Sequence, residues 1–91
     1  MRLKKLFKDI LHVSIRGSKE VEITGICANS QLVSPGNLFI ARNGQNHKGS
    51  DFIPQAIESG ALAVVTDIFD PFLGKITQII CDNIDDVQAD I

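Results

Sequence analysis

The sequence predicts a small α/β domain in which helices pack on a mostly parallel sheet. Two observations predict this class. First, a strand-like run at residues 37–41 precedes a helix-like run at 51–59 and a wholly apolar run at 61–65. Strand, helix and strand at this spacing form a βαβ unit, which places two parallel strands in one sheet. Second, the run at 21–28 begins with alternating apolar residues and becomes continuously apolar, which is typical of a strand entering a buried sheet.

Length and composition support a single domain with a hydrophobic core. The chain has 91 residues, of which 44% are hydrophobic and 22% charged, and its net charge is -2. These proportions are ordinary for a globular domain. Since the chain has no Tyr, no Trp and no excess of positive charge, it lacks both the aromatic platform and the basic field that nucleic-acid binding requires.

The sequence carries no recognisable membrane span or export signal. No apolar run approaches the roughly 20 residues that a membrane-spanning helix needs. The basic residues 1–6 lack the continuous apolar segment and the cleavage site of a secretory signal, so we expect a cytoplasmic protein. In that reducing compartment Cys27 and Cys81, which lie in apolar runs, are expected to be buried free thiols. Two Cys and two His without short ligand spacing do not predict a zinc site.

Further elements surround the βαβ unit. Residues 34–37 have Pro and Gly at the central positions of a type II turn, and residues 78–81 form a short strand. A last helix is expected from Asn83, and because the chain ends inside it without a closing signal, we expect a domain of a longer protein. Apolar residues at helical spacing near the start predict an amphipathic helix that packs on the sheet. They are Leu3, Leu6, Phe7, Ile10 and Leu11.

The helix-like run at 51–59 has signals for both of its ends. Ser50 or Asp51 can cap its start, and Pro54 falls in the first turn, where a missing N–H costs little. Gly60 suits the left-handed position that ends many helices.

Two polar segments are candidates for a ligand site. The loop at 44–49 holds Gln45, Asn46 and His47, whose neutral donors and acceptors suit a polyhydroxylated or phosphorylated ligand. A second cluster, at 29–31, ends the preceding strand. Open α/β sheets bind ligands at the ends of such strands. From the residues alone, His47 can equally be a solvated loop histidine, and Ser30 an ordinary turn residue.

Motifs for catalysis are missing from the sequence. It contains no phosphate-binding loop of the Walker type, no dinucleotide-binding glycine fingerprint, no nucleophile elbow and no metal-binding pair of histidines. It also lacks a close pair of catalytic carboxylates, and His12 lies beside the apolar helix, which favours a structural role. The residues alone therefore do not indicate an enzyme active site.

Four runs and one isolated glycine stand at fixed spacing in the chain. They are Ile23-Thr24-Gly25-Ile26-Cys27-Ala28-Asn29-Ser30-Gln31, Val33-Ser34-Pro35-Gly36-Asn37-Leu38-Phe39-Ile40-Ala41, Gly44, Lys48-Gly49-Ser50-Asp51-Phe52-Ile53-Pro54-Gln55-Ala56-Ile57 and Gly60-Ala61-Leu62-Ala63-Val64-Val65. This pattern resembles the amino-terminal domain of the Mur ligases, and the resemblance covers about residues 3–91. Within that family, the runs at 3–6 and 23–26 favour the branch that adds the third residue of the peptidoglycan stem peptide, meso-diaminopimelate or L-lysine.

The resemblance implies both a fold and a role for the chain. The fold would be a small three-layer α/β sandwich, in which helices flank a mixed and mostly parallel sheet. Residues 1–91 would be one domain that holds the UDP part of UDP-N-acetylmuramoyl-L-Ala-D-Glu, with no membrane or nucleic-acid partner. The positions that match the family's uridine contacts are Ala28, Ser30, Gln45, Asn46 and His47. ATP and Mg2+ would act with a central domain of the same chain, and a C-terminal domain would recognise the amino acid. This fragment would bind neither ATP nor Mg2+ and would not catalyse the amide-forming reaction by itself.

This chain departs from the family pattern in two places. Asn29 and Gln31 stand where the family usually has Asp and Arg, so both charges of a possible ion pair are replaced by amides that can still hydrogen-bond the turn. Lys48 stands where Asp is common and puts a positive charge beside the expected diphosphate. Two alternatives remain open: the branch that adds D-alanyl-D-alanine, and a free-standing α/β binding module.

Overall fold

The computed structural model describes residues 2–7, 13–18, 20–41, 49–74 and 76–81. Two short α-helices are α1, Leu3–Leu6, and α2, Ile53–Glu58. Turns of 3-10 helix lie at Ser30–Leu32, Gly49–Phe52 and Pro71–Leu73. The strands are β1, Val13–Arg16; β2, Gly25–Cys27; β3, Asn37–Ile40; β4, Ala63–Thr66; and β5, Thr77–Cys81.

The strands form one mixed sheet in the order β1-β5-β4-β3-β2. Strands β2 to β5 run parallel to their neighbours, with Cys27 opposite Phe39 and Phe39 opposite Val64. Strand β1 pairs antiparallel with β5 at the edge, with Arg16 opposite Gln78. The predicted mixed, mostly parallel sheet is thus confirmed, although the sequence reading did not include β1.

Each face of the sheet carries its own core, which gives three layers. On one face Leu3 and Phe7, from α1 and the turn after it, join a buried cluster with Leu38 and Ile40 of β3. On the other face Ile53 and Ala56 of α2 join Phe39 and Val64. Because neighbouring residues along β3 belong to opposite clusters, both faces of this central strand are covered, as its continuous apolar sequence requires.

The helix predicted near the start of the chain is confirmed for its first turn. Helix α1 covers Leu3–Leu6, and Phe7 lies in the turn that follows. Ile10 and Leu11 of the predicted stripe, His12, and the helix expected from Asn83 lie outside the described residues.

The cap predicted for the second helix is wrong, because α2 begins two residues later than expected. A turn of 3-10 helix at Gly49–Phe52 occupies the predicted start, and Phe52 holds the N-cap position without a side-chain hydrogen bond. Neither Ser50 nor Asp51 therefore caps α2. Pro54 lies in the first turn as predicted.

The end of α2 agrees with the prediction for Gly60. This glycine has φ +111°, the left-handed region that side chains disfavour. The Gly60 N–H donates to the Ile57 carbonyl and the Ala61 N–H donates to the Ala56 carbonyl, both at 3.0 Å. These two bonds form a Schellman motif, which satisfies carbonyls at the end of the helix.

The predicted type II turn between β2 and β3 is also confirmed. The Asn37 N–H donates to the Ser34 carbonyl at 3.1 Å, and Gly36 has φ +89°. The Asn37 side chain adds a second link, since its Oδ1 accepts a 2.8 Å hydrogen bond from the Ser34 N–H.

Neither cysteine forms a disulfide, and only Cys81 is fully buried, whereas burial was predicted for both. Cys27 is half-buried, and its Sγ lies 3.0 Å from the Asn29 carbonyl oxygen. The described residues contain no cluster of three metal-ligating side chains. Within the same residues, no helix has the length and apolar character to cross a membrane.

Candidate functional site

The polar turn after β2 is held in shape by an amide side chain. After Cys27 the chain passes through Ala28, which is exposed, into the 3-10 turn Ser30–Leu32. The Asn29 Oδ1 accepts a 2.9 Å hydrogen bond from the Gln31 N–H and so caps this turn. The expectation that an amide at position 29 can hydrogen-bond the turn is thereby confirmed.

Ser30 is the buried polar residue of this turn. Its side chain is 8% exposed, and its Oγ lies 3.2 Å from the Gln55 Oε1 of α2. An amide oxygen can only accept, so the Ser30 hydroxyl is the donor. This bond joins the carboxyl end of β2 to the helix that covers the sheet.

The turn is electrically neutral. The five residues from Ala28 to Leu32 carry no ionisable side chain. Recognition by this segment therefore depends on hydrogen bonds and on apolar contact with Ala28 or Leu32, which is 69% exposed. Such a surface suits the uncharged part of a ligand better than a phosphate.

The predicted site residues divide into two groups. The structure places Ala28 and Ser30 together in the turn after β2. Gln45, Asn46 and His47 lie outside the described residues, so their assignment stays a prediction.

The ends of the predicted loop are nevertheless described. On one side Ala41 is buried and its N–H donates to the Val65 carbonyl at 2.9 Å, which anchors the chain just after β3. On the other side the chain enters the 3-10 turn Gly49–Phe52. Since β2 and β3 are parallel neighbours, Ala41 lies at the same edge of the sheet as the turn that holds Ser30.

Gln55 is a site residue that the sequence reading missed. The apolar pattern places Ile53 and Ala56 in the core and leaves Gln55 on the exposed side of α2. Sequence alone does not show which exposed position of a helix meets a turn 25 residues earlier in the chain. Only the packing of α2 on the sheet brings the two side chains together.

A second depression lies at the opposite edge of the sheet, beside β1. It has a volume of about 340 Å³ and is lined partly by Arg16, Phe69 and Gln78. The Arg16 guanidinium lies 5.3 Å from the centre of the Phe69 ring, within the range of a cation–π contact. Of the predicted site residues that the structure describes, neither Ala28 nor Ser30 lines this depression, and four strand spacings of about 4.8 Å separate β1 from β2.

The fold and the candidate site define a class of protein: a small α/β domain with a neutral hydrogen-bonding turn at the carboxyl end of an edge strand. Comparison with known proteins gives the family. The model of the Mur ligase family, described as its catalytic domain, matches residues 22–87. The chain belongs to the Mur ligase family and corresponds to its amino-terminal domain.

Curated relatives in several bacteria share one name, UDP-N-acetylmuramoyl-L-alanyl-D-glutamate–2,6-diaminopimelate ligase. The protein from Chlamydia caviae is 36% identical over 92 residues, which covers 100% of this chain and 19% of the relative. The protein from Caldanaerobacter subterraneus is 43% identical over 67 residues, covering 74% of this chain and 14% of the relative. The chain thus spans less than a fifth of the length of these relatives.

Solved structures of Mur ligases share the fold. A MurF structure from Acinetobacter baumannii superposes with a TM-score of 0.67 at 18% identity, covering 97% of this chain and 18% of that one. MurF from Thermotoga maritima, solved with ADP, has a TM-score of 0.63 at 25% identity and covers 79% of this chain and 16% of that one. The small α/β sandwich predicted from the sequence is therefore the fold of known Mur ligases.

Proposed function

We propose that this chain binds the UDP part of UDP-N-acetylmuramoyl-L-alanyl-D-glutamate in a ligase that adds diaminopimelate, or L-lysine, to that substrate. The reaction comes from the names of the curated relatives, which are at least 33% identical where they align. The chain spans less than a fifth of those proteins, and its sequence carries no ATP-binding or catalytic motif. In the proposal it therefore supplies the binding part, and other domains of a longer protein supply the chemistry.

The observation that carries the binding proposal is the Ser30 hydroxyl, held by Gln55 in a neutral turn at the carboxyl end of a parallel strand. This is the edge at which open α/β sheets bind their ligands. An uncharged turn with an ordered hydroxyl suits a nucleoside, which offers its own hydroxyl and N–H groups. In the proposal Ala28 and Ser30 contact uridine, and Gln45, Asn46 and His47 complete the site.

The contribution of such a domain to the reaction is positioning. In the full ligase, ATP with Mg2+ would activate the substrate carboxylate for attack by the incoming amine. Holding the uridine end of the substrate lets remote binding energy keep that carboxylate in place, which raises the rate without any catalytic group in this chain.

The ligase that adds D-alanyl-D-alanine is the second candidate, and the solved MurF structures are the observation in its favour. Because their identity to this chain is at most 25%, these structures support the fold but do not identify the reaction. The diaminopimelate-adding relatives reach 43% identity. The first candidate is therefore preferred.

A chemical-shift titration of the backbone amides tests the proposed binding. UDP, and then UDP-N-acetylmuramoyl-L-alanyl-D-glutamate, should shift the signals of residues 28–31 and 44–49, whereas ADP should leave them in place. Absence of shifts at millimolar UDP would contradict the proposal. Release of phosphate from ATP by this chain alone, in the presence of substrate and diaminopimelate, would contradict the assignment of binding without catalysis.

A further inference from the structure

The hydrogen bond between Ser30 and Gln55 limits what the Ser30 hydroxyl can offer a ligand. A serine hydroxyl has one proton to donate and two lone pairs that accept. At 3.2 Å from the Gln55 Oε1, the Ser30 proton is already engaged. Only the lone pairs of the Ser30 oxygen remain available to a ligand.

Gln55 is well placed to keep this arrangement because α2 is anchored at several points. Ile53 and Ala56, on either side of it in the helix, are 4% and 0% exposed in the core. The Gln55 carbonyl accepts a 3.1 Å hydrogen bond from the Ser59 N–H at the end of the helix. The backbone of Gln55 is thus fixed, and its side chain reaches the turn from a rigid element.

We propose that Gln55 is a positioning residue of the nucleotide site, which orients the Ser30 hydroxyl so that its lone pairs face the ligand. This inference rests on the proposed function. Its consequence is that Ser30 accepts a hydrogen bond from a donor of the nucleoside, either a ribose hydroxyl or the N3–H of uracil. The diphosphate, whose oxygens only accept, cannot be the partner of Ser30.

A pair of substitutions at Gln55 separates this role from a general effect on the helix. Gln55→Met keeps the length and helix propensity of the side chain but removes the acceptor. Gln55→Glu keeps an oxygen that accepts from Ser30. Glu58→Met makes a similar change at an exposed position one turn later, and is the matched control.

The dissociation constants for UDP and for uridine measure the outcome. Gln55→Met should weaken UDP binding about two- to tenfold, the range for loss of one neutral hydrogen bond. Gln55→Glu should recover most of that loss toward uridine, which carries no phosphate for the new carboxylate to repel. Glu58→Met should bind as the wild-type chain does, and in a Ser30→Ala background Gln55→Met should weaken binding no further.

Analogues of the nucleoside identify the donor. Among 2′-deoxyuridine, 3′-deoxyuridine and 3-methyluridine, the one that lacks the relevant donor should bind the wild-type chain more weakly than uridine does. The Ser30→Ala variant should not distinguish that analogue from uridine. Equal discrimination by both proteins, or none by the wild-type chain, would overturn the inference.

Other results separate failure of this inference from failure of the proposed function. Wild-type affinity in Gln55→Met, or a Gln55→Glu variant as weak toward uridine as Gln55→Met, would overturn the positioning role while UDP binding still stands. If the wild-type chain binds neither UDP nor uridine, the proposed function fails first, and the role of Gln55 falls with it. Thermal unfolding of every variant confirms that each affinity is measured on folded protein.

Discussion

The N–H of Gly36 donates a 2.8 Å hydrogen bond to the carbonyl of Gly60, which joins the turn between β2 and β3 to the end of α2. The two backbones approach so closely that a Cβ placed on Gly60 would lie 2.5 Å from the Cα of Pro35. The link fixes the carboxyl end of the helix whose middle carries Gln55. The helix that carries Gln55 is thus anchored at a position where no side chain fits.

We expect Gly60→Ala to destabilise the domain by about 2–4 kcal/mol. An alanine at φ +111° costs roughly 1–2 kcal/mol, and displacement of Pro35 adds a similar amount. Urea unfolding measures the change. Gly74→Ala is the matched control, because Gly74 also has positive φ, at +66°, yet its Cβ would meet nothing within 4 Å. Equal losses in the two variants would show that the contact with Pro35 contributes nothing.

Ile79→Val tests the core beneath α1. Ile79 is 0% exposed and belongs to the cluster that includes Leu3 and Leu38. Removing one buried methyl group should lower the free energy of unfolding by about 0.5–1.5 kcal/mol. Ile26→Val, on a strand residue that is 40% exposed, should change it by less than about 0.5 kcal/mol. A loss at Ile26 as large as the loss at Ile79 would contradict the assignment of the core.

Much of the sheet could be predicted from the sequence because its central strands have a recognisable apolar pattern. Three consecutive residues are apolar in β3, at 38–40, and in β4, at 63–65, as in strands covered on both faces, and Gly60 marks the end of the helix between them. Strand β1 escaped prediction. This strand has only four residues, whose exposure alternates. Its partner β5 lies near the other end of the chain, so the sequence around β1 does not indicate the pairing.

The candidate site was predictable in residue type but not in geometry. Asn29 and Ser30 are turn-forming residues at the end of a strand, which is enough to select the segment. That Ser30 would be buried and bonded to Gln55 follows from how α2 packs, a tertiary relationship with no local signature. The wrong cap on α2 has a local cause, since the chain forms a 3-10 turn where Ser50 and Asp51 would have begun the α-helix.

Gln78→Glu should make stability depend on pH in a defined direction. The Gln78 side chain, 2% exposed, accepts a 2.8 Å hydrogen bond from the Asp70 N–H and donates one of 2.7 Å to the Asp70 carbonyl. A protonated carboxyl can make both bonds, whereas an ionised one cannot donate and pays for burial of its charge.

The sign of this effect follows from the pKa of the introduced carboxyl. Burial raises the pKa of this carboxyl in the folded state above the unfolded value of about 4.3. The loss of unfolding free energy caused by its ionisation is therefore absent below that pH and grows as the pH rises through the folded pKa. The difference in unfolding free energy between Gln78→Glu and wild type should therefore be small near pH 4 and larger near pH 7. A difference that stays constant over this range would contradict burial of the group at position 78.

Substitutions at Asn29 test whether its amide oxygen alone holds the turn that carries Ser30. Asn29→Ala leaves the Gln31 N–H without its 2.9 Å acceptor and should destabilise the domain by about 0.5–2 kcal/mol. Asn29→Asp keeps an acceptor in the same place and should retain stability, since a charged acceptor bonds at least as strongly. Gln31→Ala preserves the backbone donor and serves as the control, with unfolding in urea as the measurement. If Asn29→Asp loses as much as Asn29→Ala, then the NH2 group of the amide is what the turn requires, and the cap seen between Asn29 and Gln31 is not what stabilises it.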